Sequence, residues 1–343
     1  MSYHKKSFPC KKGKPIAEIK KINKNIKNRM ILLRDSLRDL CVTSFNRIFR
    51  FAVFEGWYYK HQNKDSVLAL IPGASIDKNG TRHPFLQIIW NETSYSLDFP
   101  EEDYLVDRRQ QRIMLGRNVF SIHGIKLNIQ TEELSIQGVI RYGALSPIKY
   151  SIMGPLELVP FMECRHEVIS MAHPLSGSLK VNGRVLDFNG EKGYIEGDRG
   201  RSFPKDYLWI ECNRFQEEAS VMIAIAHIPF IGHSFQGCIC VVLYKGREYR
   251  FATYLGVQVV CKRRTSVVLK QGIYSLKVYL TNQNAGSRPG FSHKLLAPSQ
   301  GKMTRFIKEG HLQRGRFLLY KGEELIFNLA SDYVSFEYEP GKA

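Results

Sequence analysis

The 343-residue chain has no Cys-x-x-Cys pair, no long apolar run and no recognisable cofactor loop. Its seven cysteines (10, 41, 164, 212, 238, 240 and 261) are odd in number and irregularly spaced, which argues for reduced thiols over a disulfide framework. Cys238 and Cys240 would share one strand face, where burial explains them better than metal binding. His166 and His173 are seven apart with Pro174 adjacent and match no standard zinc spacing, so no metal is expected. No Walker lysine loop, no GxGxxG turn after a strand and no GxSxG elbow occurs, so no cofactor is expected. The longest late apolar run, Val221 to Ile231, is interrupted by His227 and Pro229 and falls far short of the ~20 residues of a spanning helix. Met30 to Leu33 is too short and too closely flanked by charge to be the h-region of a signal peptide. These absences lead to the expectation of a soluble, cytoplasmic protein.

Charge is present in excess, but locally. The chain carries 50 Lys+Arg against 32 Asp+Glu, a net of +18, and residues 1–50 supply 11 of those positive charges. In that segment Ile16, Ile19, Ile22, Ile26, Met30, Leu33, Leu37 and Leu40 recur every three or four positions between Lys and Arg, the pattern of a basic amphipathic helix. Its apolar stripe has two places to dock: the body of the protein, or an anionic membrane surface as a peripheral contact. The body is only mildly basic, so no nucleic-acid partner is expected. Oligomeric state leaves no trace in the pattern.

From Phe51 onward the sequence reads as strand after strand. Ser178 to Val181, then Asn182-Gly183, then Arg184 to Leu186 is a two-residue hairpin, because Asn and Gly accept the positive φ such a turn needs. Lys245-Gly246, Lys321-Gly322, Asn189-Gly190 and Asp77 to Gly80 break similar runs. Long helical periodicity is absent. An antiparallel sheet of this length closes or stacks to hide its edges, and two barrels of roughly 150 residues fit better than one. The expected division is a basic helical extension over 1–50, a first β-barrel over 51–188 and a second over 189–343.

Two segments concentrate residues that are costly to place together. Phe54-Glu55-Gly56-Trp57-Tyr58-Tyr59-Lys60 sets aromatics beside a carboxylate. Gly193 to Pro204 alternates Glu196 and Asp198 on one strand face and runs into Tyr207 to Asn213, where Tyr207, Trp209, Glu211 and Asn213 point one way and Leu208, Ile210 and Cys212 the other. A mixed aromatic and polar face suits a ligand-bearing barrel interior.

These stretches resemble the tocopherol cyclase-like family. The matching motifs are Phe54 to Lys60, Ile71-Pro72-Gly73, Ile152 to Pro155 with Val159 to Cys164, Gly193 to Asn213, Phe251 to Tyr254, and Ala297-Pro298 with Gly301-Lys302-Met303, in order across about residues 51–310. The resemblance implies a pair of lipocalin-like β-barrels, agreeing with the count above. It also implies a reaction class, cofactor-free closure of a prenylated quinol to a chromanol, an intramolecular addition in the isomerase class. That chemistry needs a proton donor, exclusion of water, and π-faces near a tertiary cation.

Glu55 among its aromatics is the first candidate acid, with a barrel-mouth pairing to Arg or Lys as the equal alternative. Asp198 and Glu196 follow, against a salt bridge to Arg199 or Arg201. Trp57, Tyr58, Tyr207 and Trp209 are the candidate ligand wall, and Glu211, Asn213 and Arg201 the candidate polar contacts. Glu163 and His166, three apart, would face opposite sides of a strand. The family pattern Glu-Lys-Asp-Trp-Gly-Arg-Ser-Phe-Pro appears here as Glu196 to Pro204 with Gly197 for Lys and Arg199 for Trp, and Glu211 stands where Gln is usual. If position 199 lines the site, Arg199 brings a permanent charge to an apolar wall. The expected partner is therefore a hydrophobic small molecule; a non-catalytic carrier and an alkene hydratase remain the alternatives to a cyclase.

Overall fold

The computed structural model describes residues 52–91, 93–159, 162–230, 233–281 and 291–341. The basic helix expected over residues 1–50 lies outside them. What they form is nearly all β, in two antiparallel sheets. The first contains β1 (Val53–Gln62), β2 (Val67–Ile76), β3 (Arg82–Trp90), β4 (Thr93–Asp98), β5 (Tyr104–Asp107), β6 (Arg112–Leu115), β7 (Asn118–Ser121), β8 (Gly124–Gln130), β9 (Ser135–Tyr142), β10 (Cys164–Val181), β11 (Arg184–Asp187) and β12 (Lys192–Gly200). The second contains β13 (Tyr207–Cys212), β14 (Ala219–Phe230), β15 (His233–Tyr244), β16 (Arg247–Ala252), β17 (Gln258–Arg263), β18 (Ser266–Gln271), β19 (Tyr274–Thr281), β20 (Phe291–Ser299), β21 (Lys302–Lys321) and β22 (Glu324–Glu339). Among the described residues no helix is long and apolar enough to cross a membrane.

The two sheets share one plan. Each begins as a four-strand meander whose first strand then pairs with the last strand of its half, β1 with β12 and β13 with β22. Each also contains one very long strand, β10 or β21, that changes partners along its length. Register shifts at Val168/Ser170 and Ser170/His173 in β10, and at Gly310/Gln313 and Gln313/Gly315 in β21, are bulges that bend a strand and so curl the sheet. The change of sheet falls between Gly200 and Tyr207 rather than at 188/189, because β12 is held in the first sheet between β1 and β10. The hairpin expected at Asn182-Gly183 forms, with φ of 45° and 84° and Val181 opposite Arg184.

Period-two alternation fills three apolar layers. One face of the first sheet packs on itself through residues such as Tyr59, Leu70, Phe120 and Ile195, and one face of the second through Leu208, Ile210, Val242 and Phe317. The opposite faces meet in a third layer containing Tyr58, Met153, Tyr194, Tyr207, Trp209 and Leu295. The curled interiors are thus filled by their own side chains, and the Tyr207/Trp209 face looks at the other sheet, not into a barrel.

A second contact joins the halves through two of the motif stretches. The Tyr254 hydroxyl donates to the Ile152 carbonyl at 2.9 Å, and Arg250 reaches the Ser151 and Tyr150 carbonyls at 2.9 Å each. Gly154 makes this docking possible: its φ is 52°, and a Cβ there would sit 2.5 Å from the Tyr254 ring. Gly154→Ala is expected to lower the thermal midpoint by on the order of 5 °C or more. Gly256→Ala has φ 79° but nothing within 4 Å, so calorimetry should show it losing clearly less. Equal losses would deny the ring contact its role.

Candidate active site

Between the sheets lies a cavity of about 180 Å³, well above the ~10–15 Å³ that one water requires. Strand registers place its polar groups. On the first sheet His166 (β10), Asp198 (β12) and Gly56 (β1) are successive cross-strand neighbours. On the second, Glu309 (β21), Glu337 (β22), Trp209 (β13) and Ala224 (β14) form a matching row. All of these border the cavity, and Tyr58, Glu196, Phe203 and Tyr207 complete its polar and aromatic wall.

The first cluster centres on His166. Its Nδ1 lies 3.0 Å from Asp198 Oδ1 and its Nε2 3.3 Å from Glu196 Oε2. Burial alone would lower the imidazole pKa, but the two facing carboxylates outweigh it and hold the ring well above its ordinary value, as the imidazolium. Glu196 also accepts from the Tyr194 hydroxyl at 2.5 Å and, across the sheets, from the Trp209 indole N–H at 3.2 Å. Ligand atoms of His166, Glu196 and Asp198 lie within 4.8 Å of one another, a spacing a metal ion would also accept; with both imidazole nitrogens facing carboxylates, ion pairing accounts for the geometry.

The second cluster is on β21 and β22. Tyr58 donates to Glu309 Oε1 at 2.6 Å, and His311 Nε2 lies 2.9 Å from the same oxygen. Burial pushes the Glu309 carboxyl up, but His311 beside it wins and holds it below the usual carboxylate range. Tyr207 donates to Glu337 Oε2 at 2.5 Å. Burial, reinforced by the nearby Glu309 charge, pushes Glu337 well above that range.

Of the residues singled out from the sequence, Glu196, Asp198, Tyr58, Tyr207 and Trp209 converge on the cavity, and Trp57 borders it. Glu55 does not join them. One position from Phe54 and Gly56 in the pleat, it faces the other way, where it accepts from Tyr104 at 3.0 Å and pairs with Arg108 at 2.8 Å. Glu211 forms an ion pair with Lys60, and Asn213 donates to the Gly193 carbonyl at 3.0 Å; both tie the sheets together away from the cavity. Arg201 is exposed beyond the end of β12, its backbone N–H bonded to the Glu163 carbonyl at 2.8 Å. The partner of Asp198 and Glu196 is His166, not Arg199 or Arg201. Arg199, cross-strand from Glu55, is on the face away from the cavity, so its charge does not enter the apolar wall. Gly197 sits beneath Trp57, where an added Cβ would meet the indole at 3.0 Å.

Sequence reading passed over Glu309, His311 and Glu337. The available signal was Ile307, Glu309 and His311 alternating along one strand face, titratable groups interleaved with an apolar one. Glu163 and His166 both border the cavity, since Glu163 precedes the strand that begins at Cys164 and the alternation does not extend to it.

A family model described as tocopherol cyclase-like matches residues 128–257. The probable chloroplastic tocopherol cyclase of Oryza sativa subsp. japonica is 28% identical over 137 residues, which is 38% of this chain and 29% of that protein. The chloroplastic tocopherol cyclase of Zea mays is 35% identical over 91 residues, 26% of this chain and 19% of that protein. The matched region thus spans less than a third of either plant protein. Among solved structures, CghA with Sch210972 superposes with a TM-score of 0.51 at 10% identity, covering 85% of this chain and 89% of that one, a likeness of fold. The family match contains His166, Glu196, Asp198, Tyr207 and Trp209 and ends before Glu309 and Glu337. Residues 128–257 are therefore similar to the tocopherol cyclase-like family, and they lie within a fold of two curled antiparallel sheets.

Proposed function

We propose that the protein binds a prenylated quinol or a similar amphipathic molecule between its sheets and closes the phenol oxygen onto the prenyl double bond, giving a chromanol without a redox cofactor. The observation that carries this reading is the apolar, aromatic-walled cavity with ionisable clusters on both walls. Protonation of the alkene yields a tertiary cation. The faces of Trp209, Tyr58 and Tyr207 stabilise a nearby cation by about 0.5–2 kcal/mol each. The phenol must lose its proton as the ring closes, and the Asp198 carboxylate, positioned by His166, is the acceptor. The largely apolar lining of the cavity disfavours water as the competitor for the cation.

The test is incubation of the full chain with a prenylated benzoquinol and detection of chromanol by mass spectrometry. Asp198→Asn is expected to reduce turnover at least ~100-fold, whereas Glu55→Gln stays within about 3-fold, because Glu55 serves an ion pair on the other face of β1. Stoichiometric ligand retention with no product would make the protein a carrier, and a product heavier by one water would make it a hydratase; either sinks the cyclase reading.

A further inference from the structure

Glu309 and Glu337 are directly opposite each other on β21 and β22, and both border the cavity. Side chains so placed are about 4.5–5.5 Å apart at Cβ, and two like charges there are unfavourable even on an exposed sheet. Glu309 is fully buried and Glu337 is partly buried beside it, so ionising both is costly and the pair favours keeping one proton. Their surroundings decide which. Glu309 has His311 at 2.9 Å, the Tyr58 hydroxyl at 2.6 Å, and an Oε2 that is buried with no hydrogen-bond partner. His311 is itself tied to Ser335 at 2.9 Å, which fixes the ring against Glu309. Among the described residues Glu337 accepts from the Tyr207 hydroxyl alone and no cation pairs with it. The charge therefore stays on Glu309 and the proton on Glu337. Trp209 is the neighbour of Glu337 on the other side, with the Tyr58 ring 5.6 Å from its own in a T-shaped arrangement.

We propose that Glu337 is the proton donor of this cavity, delivering its carboxyl proton to the less substituted alkene carbon of a bound prenyl chain beside the Trp209 face. The assignment rests on the cyclase reading above and adds a catalytic residue that lies outside the family-matched segment. In the step, the Glu337 O–H bond breaks and the alkene π pair forms a C–H bond, leaving the tertiary cation. A lone pair of the quinol oxygen then forms the C–O bond, and the phenolic proton passes to Asp198. After product release Glu337 regains a proton and Asp198 loses one through solvent, so the net change is an isomerisation with no oxidant or reductant.

Three measurements on the full chain test this. Infrared spectroscopy at neutral pH should show neutral-carboxyl absorption, to which Glu211, pushed up to about 7, also contributes, and Glu337→Gln should remove one component of it. Glu337→Gln should lower kcat on the prenylated benzoquinol at least ~100-fold while binding, followed by tryptophan fluorescence, changes by less than about 3-fold. Glu309→Gln should move the basic limb of the kcat profile to lower pH, because it removes the charge that keeps the proton on Glu337. The groups facing Glu337 in that profile are Glu309 from β21, Tyr207 from β13, and Glu196 and Asp198 from β12, with Arg305 5.8 Å from the Tyr207 ring. If the unsubstituted protein forms no chromanol, the functional reading falls and this assignment with it. If it does and Glu337→Gln is equally active, or leaves the carboxyl absorption unchanged, only the assignment falls. Should Glu337→Gln fail to fold by circular dichroism, an unmoved basic limb in Glu309→Gln overturns the proposal.

Discussion

A His61→Gln/His173→Gln double variant is expected to gain about 4 kcal/mol on the unsubstituted protein between about pH 7.5 and about pH 5, measured by urea unfolding. Both histidines are buried inside the first sheet. His61 Nε2 lies 2.6 Å from the Tyr142 hydroxyl and its Nδ1 3.3 Å from the Leu68 carbonyl. The Tyr142 ring centre is 4.4 Å from that of His173, whose Nδ1 lies 3.1 Å from Ser170 Oγ and whose Nε2 has no hydrogen-bond partner. Burial pushes both down to about 3, and for His61 the neighbouring His173 adds to the effect. Below about pH 6.5 the unfolded chain takes up protons that the folded chain refuses, so each histidine lowers stability by about 1.4 kcal/mol per unit as pH falls toward 3. Two groups over about 1.5 units give the 4 kcal/mol. At pH 7.5 both are neutral in both states, and the variant shows only the cost of lost packing and hydrogen bonds. Glu211, pushed up to about 7, and Glu337 act in the opposite sense, since the folded state protonates first, but they are common to both proteins and cancel in the comparison. A stability gap independent of pH would rule out neutral buried histidines.

Much of the fold was legible because turns and alternation are local. Asn182-Gly183 names its own backbone conformation, and the shared face of Glu196 and Asp198 follows from a period of two. Alternation does not say which of two buried faces meets the neighbouring sheet. That ambiguity put the ligand inside a barrel and grouped Glu55 with Tyr58, although odd and even positions of β1 look into different layers. The Glu309–Glu337 pair was hidden by a stricter limit. Counting back along the hairpin from Lys321 opposite Glu324 without bulges would set Glu309 against Phe336, yet the register shifts in β21 place it against Glu337. A single-residue slip exchanges the faces of a strand, so the site depends on bulges with no sequence signal strong enough to position them.

Replacement of Lys60 by Met is expected to cost about 3–5 kcal/mol at pH 8, and the double variant Lys60→Met/Glu211→Leu to recover most of it. Lys60 on β1 and Glu211 on β13 form an ion pair at 0% and 1% side-chain exposure, with Ser335 Oγ 3.4 Å from the ammonium. Burial pushes Glu211 up to about 7 even though Lys60 pulls it down, so desolvation outweighs the pairing. Without Lys60 the carboxyl is pushed further up, and above that value the folded state carries a buried charge with no counterion. The deficit of the single variant should therefore shrink as pH falls, because protonated Glu211 no longer needs a cation; a group raised on folding contributes stability at low pH that disappears as pH rises through its folded value. Leucine in place of Glu211 removes the charge and keeps an apolar contact in the layer between the sheets. Urea unfolding of the four proteins in the cycle at two pH values measures the coupling. A single-variant cost below about 1 kcal/mol, or a double variant no better than the single, would show that the pair is not what binds the sheets. If it does bind them, the same substitution should weaken ligand retention, since β1 and β13 also carry Tyr58, Tyr207 and Trp209 on the two walls of the cavity.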